Sequence, residues 1–280
     1  MIRSPAVAGQ FYNASTAALE TEVAGYLDAL ASAASMIAII CPHAGLMYSG
    51  HVAGAVFSRV TLPDTVILIG PNHTGIGPAV SVYPEGAWQI PGGAVSVNRD
   101  LAQAILARYP SAEADTSAHQ REHCLEVQLP FLRQQRRDVR IVPIVLGTRD
   151  PSVCLTLGHC LAALVEELDQ SPGRRPLLLA STDMNHYESD QVTRDKDRHA
   201  IAAIEGLNPD ALDAAVTDHH ISMCGVAPTL AVLHAARALG RTHATLIRYA
   251  TSGDRGGDRT RVVGYAGFTV AAPDQPRPGP

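Results

Sequence analysis

Short apolar runs, each followed by a helical stretch, constrain this chain more than any other feature. Met36–Ile40, Thr65–Ile69, Arg140–Val145 and Leu177–Ala180 are almost continuously apolar, the pattern of strands buried on both faces. His243–Tyr249 and Val262–Phe268 complete the set. Between them, Ala17–Ser32, Gly50–Arg59, Arg99–Arg108, Val153–Leu168, Lys196–Gly206 and Ala227–Leu239 have few breakers and read as helices. Strands alternating with helices predict an α/β fold, a mainly parallel central sheet with helices on both faces. Pro143 suggests that its strand is an edge or carries a bulge. The segment Val80–Val97, punctuated by Gly and Pro, reads as a hairpin or an insertion. No repeat or clear linker divides the chain, so residues 1–280 are read as one domain whose Pro-rich tail, Ala272–Pro280, frays.

Several function classes drop out early. Net charge is −5, and no basic stripe is interleaved with aromatics, so nucleic acid is not an expected partner. The longest uninterrupted apolar runs are strand-sized, short of the roughly 20 residues of a spanning helix, and no membrane role is expected. Met1-Ile2-Arg3-Ser4-Pro5 lacks the apolar core of a signal peptide. The odd set Cys41, Cys124, Cys154, Cys160 and Cys224, with no C-x-x-C pair, argues against a disulfide framework and for a cytoplasmic protein. Neither a phosphate-binding glycine loop nor a G-x-S-x-G nucleophile elbow is present.

The chemistry gathers where strands end. The first run leads into Cys41-Pro42-His43, the second into Gly70-Pro71-Asn72-His73, and the fourth into Ser181-Thr182-Asp183-Met184-Asn185-His186. Parallel strands put these ends on one side, where α/β sheets bind ligands, so distant histidines can converge. Imidazole suits zinc, copper and iron alike. The other histidines, His51, His119 and His159 among them, lack this context.

Four further residues are candidates. Cys224 precedes a strong helical pattern, and a helix N-terminus lowers a thiol pKa towards the thiolate that binds metals. Asp183 is placed to accept a hydrogen bond from a ligating histidine. In Glu122-His123-Cys124-Leu125-Glu126, His123 and Glu126 lie at i and i+3; a metal carboxylate is one reading and a solvated helix face the commoner one.

Taken together these segments resemble the Memo family, known in prokaryotes as AmmeMemoRadiSam system protein B. The matching stretches are Arg3–Tyr12, Pro42-His43-Ala44-Gly45, Gly70-Pro71-Asn72-His73, Glu122–Leu132, Ser181–Tyr187, Cys224-Gly225 and Thr251–Tyr265, in order along nearly the whole chain. Asn13, Cys124 and Thr182 depart from the usual pattern without removing a candidate ligand. The resemblance implies a fold similar to class III extradiol dioxygenases. It implies a mononuclear metal held by His43, His73 and Cys224, with Asp183 and His186 as the acid–base pair of the cleft. Those dioxygenases use two histidines and a carboxylate on Fe(II). A cysteine in the third position is softer and oxidisable, so ring cleavage does not follow from the fold.

The expectation is a metal-dependent oxidoreductase acting on a small-molecule substrate. Fe(II) is the favoured cofactor, with Cu or Zn as alternatives. His186 is the general acid–base and Asp183 orients it. The rival is a non-catalytic metal-binding or redox-handling protein, with radical SAM and AMME-domain proteins as the partners the resemblance implies. Zinc-assisted hydrolysis and a Cys224 nucleophile remain open alongside these.

Overall fold

The computed structural model describes residues 1–170 and 174–272, so all but the first residue of the Pro-rich tail lies outside the described residues. In chain order the elements are β1 (Ile2–Arg3), α1 (Thr16–Tyr26), β2 (Met36–Cys41), α2 (Leu46–Phe57), β3 (Thr65–Pro71), β4 (Val80–Val82), β5 (Ala87–Ile90), β6 (Gly93–Val97), α3 (Arg99–Arg108) and β7 (Glu113–Ala114). They continue with α4 (Leu129–Gln135), β8 (Arg140–Leu146), α5 (Pro151–Asp169), β9 (Leu177–Ser181), β10 (His186–Glu188), α6 (Asp190–Glu205), α7 (Pro209–Asp218), α8 (Val226–Ala238), β11 (Thr245–Thr251), α9 (Gly253–Gly256) and β12 (Val262–Ala271).

One sheet runs through the molecule in the order β1-β5-β6-β8-β3-β9-β2-β12-β10, with β11 paired to β12 and β4 to β8. From β6 to β2 every neighbour is parallel; β12 then joins antiparallel and carries β11 and β10 antiparallel to itself. The central strands are buried along their length, and successive side chains serve opposite faces. Ile40, Ile67, Ile69, Ile144 and Leu178 meet α3, α5, α6, α7 and α8 on one side. Ile39, Val66, Leu68, Ile141 and Leu179 meet α1, α2 and α4 on the other. The doubly covered α/β sheet is thus the one its apolar runs demand.

Pro143 departs from expectation in an instructive way. Its strand β8 is interior, yet the proline falls where the pairing with β6, which ends at Ile141, hands over to the pairing with β4, which begins at Ile144. A residue without an N–H fits that gap at no cost in hydrogen bonds. Within Val80–Val97, β5 and β6 form an antiparallel hairpin, and β4 and β6 pair with β8.

Helix α5 is the one described helix with the length and mean hydropathy, 1.2, of a membrane span, a feature that the search for uninterrupted apolar runs passed over. Its Leu157, Leu161, Leu164 and Val165 are buried against the sheet and α8, while Glu166 and Glu167 face solvent, so it serves as a core helix. Its start is fixed by Asp150, whose side chain accepts from Ser152 N, and by Pro151 in the first turn.

Candidate metal centre

Strands β3, β9 and β2 are neighbours, and their C-terminal ends deliver His73, Asp183 and His43 to one cleft. The geometry there is decided by which nitrogen of each imidazole carries a proton.

His43 is buried, and its Nδ1 lies 3.0 Å from Ser181 Oγ. Ser181 has one hydroxyl proton, which it donates to Cys124 O at 2.7 Å. Gln128 Nε2 also donates to Ser181 Oγ, at 3.0 Å, and its second proton goes to Pro42 O at 2.9 Å, which fixes the amide orientation. With its own proton engaged, Ser181 can only accept from the ring. His43 therefore carries its proton on Nδ1 and keeps a lone pair on Nε2. Burial first, then the neighbouring His123, His73 and His186, hold its pKa well below the usual value, so the ring stays neutral.

His73 is fixed from the other side. Its Nδ1 lies 2.9 Å from Oε1 of Glu122, a fully buried side chain, and its backbone N–H donates to Oε2 at 2.6 Å. Backbone N–H groups of His123 and Cys124 also donate to Glu122, at 2.9 and 3.0 Å. Burial alone would raise the Glu122 pKa, but His73 and these amides bring it down to about 2. Glu122 is a carboxylate, so His73 Nδ1 donates, and in the neutral ring the lone pair lies on Nε2. Burial lowers the His73 pKa, the Glu122 contact outweighs it, and the net shift is upward.

The ligand atoms of His43, His73 and His123 lie within 4.8 Å of one another. The rings of His73 and His123 stack with centroids 4.7 Å apart, and each stands edge-on to His43 at 5.2 and 5.4 Å. Cys224 Sγ is 3.3 Å from His43 Nε2, on the lone-pair side. His73 and His123 keep 32% and 22% side-chain exposure, which leaves the centre open to solvent on that flank. A cavity of about 220 Å³ opens beside Cys224, lined by Asn72, Thr148, Arg149 and Met223 among others. A larger one, about 430 Å³, lies near Pro209, Asp213 and His234 without a comparable convergence of ligand atoms.

The structure thus brings His43 and His73 together with His123, which the sequence had not singled out as a ligand, and it sets Cys224 beside His43. The helical face imagined for His123 and Glu126 does not exist. His123 lies in the loop just ahead of a turn, and Glu126, at the start of a short 3-10 helix, is fully buried, paired with Arg3 Nη1 at 2.6 Å and accepting from Tyr12 Oη, Ala6 N and Val7 N. Glu126 anchors the first dozen residues and is not available to a metal. Its spacing from His123 carried no warning of this, because its partners lie more than 110 positions away.

Two chemical expectations are corrected. Cys224 does lie just ahead of α8, but burial and then the nearby Asp183 push its thiol pKa upward, and without a cation it stays protonated. A bound metal ion would reverse that balance. Asp183 does not orient an imidazole: its Oδ1 accepts from the backbone N–H of His43 at 2.8 Å and of Ala44 at 3.3 Å. The ring of His186 is oriented by Ser222, whose carbonyl accepts from Nδ1 at 2.8 Å. Burial raises the Asp183 pKa to about 6.

The donor set fits a soft or borderline transition metal. Two imidazoles present preset lone pairs beside a thiol, and the two nearest carboxylates are engaged elsewhere, Glu122 by four N–H groups and Asp183 by two. All five cysteines are free.

Fold and cleft together define an α/β protein with a histidine-rich centre beyond the C-terminal ends of adjacent parallel strands. The chain belongs to the Memo-like protein family, whose profile matches residues 3–269. A MEMO1 family protein of Methanothermobacter thermautotrophicus is 37% identical over 278 residues, covering 95% of this chain and 99% of its own length. Another from Aquifex aeolicus is 39% identical over 273 residues, covering 95% and 98%. Among solved structures, an uncharacterized protein of Escherichia coli K12 shares the fold, with a TM-score of 0.58 and 14% identity over 85% of this chain and all of its own.

Proposed function

We propose that this protein is a mononuclear metal-dependent oxidoreductase of the cytoplasm, acting on a small organic substrate, with Fe(II) held by His43, His73 and Cys224. The observation that carries this reading is the pair of hydrogen bonds that engage Nδ1 of His43 and of His73 and so reserve Nε2 of each neutral ring for a metal, with Cys224 Sγ beside His43. Bound Fe(II) would supply open positions for O₂ and substrate, the property that suits two-histidine sites to oxygen chemistry. His123 faces the same point as a further donor. His186, with its proton on Nδ1, offers Nε2 to accept a proton from a substrate hydroxyl. Asp183 holds the His43 backbone and places a carboxyl that is buried and easily protonated at the floor of the cleft.

A second reading rests on the absence of a free carboxylate among these donors. A thiol with imidazoles suits Cu(I), which would make the protein a metal handler working with radical SAM and AMME-domain proteins. Metal content of anaerobically purified protein, wild type beside Cys224→Ser, with O₂ uptake on the same samples, separates the two. Near-stoichiometric iron that falls in the variant, with O₂ consumed when small aromatic diols are added, supports the oxidoreductase. Copper, with no O₂ uptake, refutes it in favour of the second reading.

A further inference from the structure

The loop between β9 and β10 contains one side chain with every polar group spent. Asn185 is fully buried. Its backbone N–H donates to Asp197 Oδ1 at 3.0 Å, and its carbonyl accepts from Gly264 N at 2.9 Å. Its Oδ1 accepts from Ser222 N at 3.0 Å and Ser222 Oγ at 3.1 Å, while its Nδ2 donates to Glu188 Oε2 at 2.7 Å and Thr193 Oγ1 at 3.3 Å. The amide cannot turn over, because one end faces a backbone N–H and the other a carboxylate.

Ser222 is also what holds His186. Its Oγ accepts from the His186 backbone N–H at 2.8 Å, and its carbonyl accepts from His186 Nδ1 at 2.8 Å. A carbonyl can only accept, so this contact selects the neutral tautomer protonated on Nδ1. That is the minor form of a free histidine side chain, and the one that leaves Nε2 open. The loop is further clamped by Asp197 of α6, which packs so closely on Gly264 that a side chain there would collide with the carboxylate.

We infer that Asn185 is a positioning residue: by pinning Ser222 it fixes the tautomer and aim of His186. The functional importance of this rests on His186 being the proton carrier proposed above, whereas the tautomer itself can be read without turnover. The experiment is ¹⁵N-histidine NMR of the full-length protein above the imidazole titration, with the His186 signal assigned by its loss in His186→Gln. Wild type is expected to show the Nδ1–H form in excess, the reverse of a free side chain, because Ser222 O can only accept. Asn185→Asp sets a carboxylate against Glu188 and should bring the ratio towards parity. Adding Glu188→Gln restores that hydrogen bond with donor and acceptor exchanged, and should restore the excess.

A wild-type His186 protonated mainly on Nε2 overturns the inference. So does an unmoved ratio in a folded Asn185→Asp, since a merely structural role would change stability alone. If the single variant does not fold, the double variant decides: a restored fold with the Nδ1–H form supports the inference, and a restored fold with mixed tautomers refutes it. Should the tautomer respond as expected while His186→Gln leaves O₂ uptake unchanged, the positioning stands and the proton-carrier reading falls.

Discussion

Replacing Glu122 with glutamine removes one charge and puts an NH₂ group where every neighbour donates. The carboxylate accepts from His73 N at 2.6 Å, His73 Nδ1 at 2.9 Å, His123 N at 2.9 Å and Cys124 N at 3.0 Å. Whichever way the new amide turns, its NH₂ meets a backbone N–H. A buried donor left without a partner costs about 1–3 kcal/mol, and the remaining bonds lose their charge assistance. Linkage gives a similar size: a pKa of about 2 against an ordinary 4.5 is worth about 3 kcal/mol. Because the folded-state pKa is the lower one, this stabilisation is complete above roughly pH 4.5 and drains away as pH falls through about 2. Urea unfolding of wild type and Glu122→Gln should therefore differ by about 3 kcal/mol near neutrality, narrowing by about pH 3. Because Glu122 orients His73, metal affinity by competition titration should fall about 10- to 100-fold. A gap under about 0.5 kcal/mol at neutral pH, or one that widens on acidification, would refute the electrostatic reasoning. Unchanged affinity would refute the orienting role.

Asp183→Asn should stabilise the metal-free protein by about 3 kcal/mol near neutral pH, because burial raises this carboxyl from 3.8 to about 6 and the penalty develops as pH climbs between those values. Unfolding curves at about pH 4 should show the gain gone. Ser181→Ala strands His43 Nδ1–H, so unfolding should cost about 1–3 kcal/mol less than in wild type, and metal affinity, measured by competition, should drop at least about tenfold. Arg3→Ala leaves Glu126 as an unpaired charge at 0% exposure and should cost about 3–5 kcal/mol in urea unfolding. Arg3→Lys should recover little of this, since the guanidinium reaches His119 O and Glu122 O as well as Glu126.

The sheet was readable because its strands are buried on both faces, so Met36–Ile40 or Thr65–Ile69 had to be nearly pure in apolar residues. The histidines beyond those strands were readable because parallel order puts strand ends on one side. Helix α7 went unseen although Asn208 caps it and Pro209 opens it, since its buried face is only Pro209, Leu212 and Val216. His123 was misplaced for a different reason. Glu122-His123-Cys124-Leu125-Glu126 reads locally as one turn of helix, but contacts to His73 and Arg3, 49 and 123 residues away, pull its acids into separate buried sites. The Cys224 environment was likewise beyond local reading: helix-end position is visible in sequence, whereas the burial that outweighs it is not.

The Arg3–Glu126 pair also sets a clock. A growing chain has to carry Arg3 unsealed until a partner 123 residues downstream has been made. At about 5–20 residues per second, that wait is on the order of 6–25 s. Glu126 lies four positions after Glu122 in the same turn-rich segment, so that pairing and the buried contacts that orient His73 must form together, after much of the first half of the chain has been translated. The same closure lays the Arg3 guanidinium over the Trp88 ring, at 4.1 Å. The proposed metal site is therefore completed late in synthesis: its buried supports wait for residue 126, and Cys224 emerges later still.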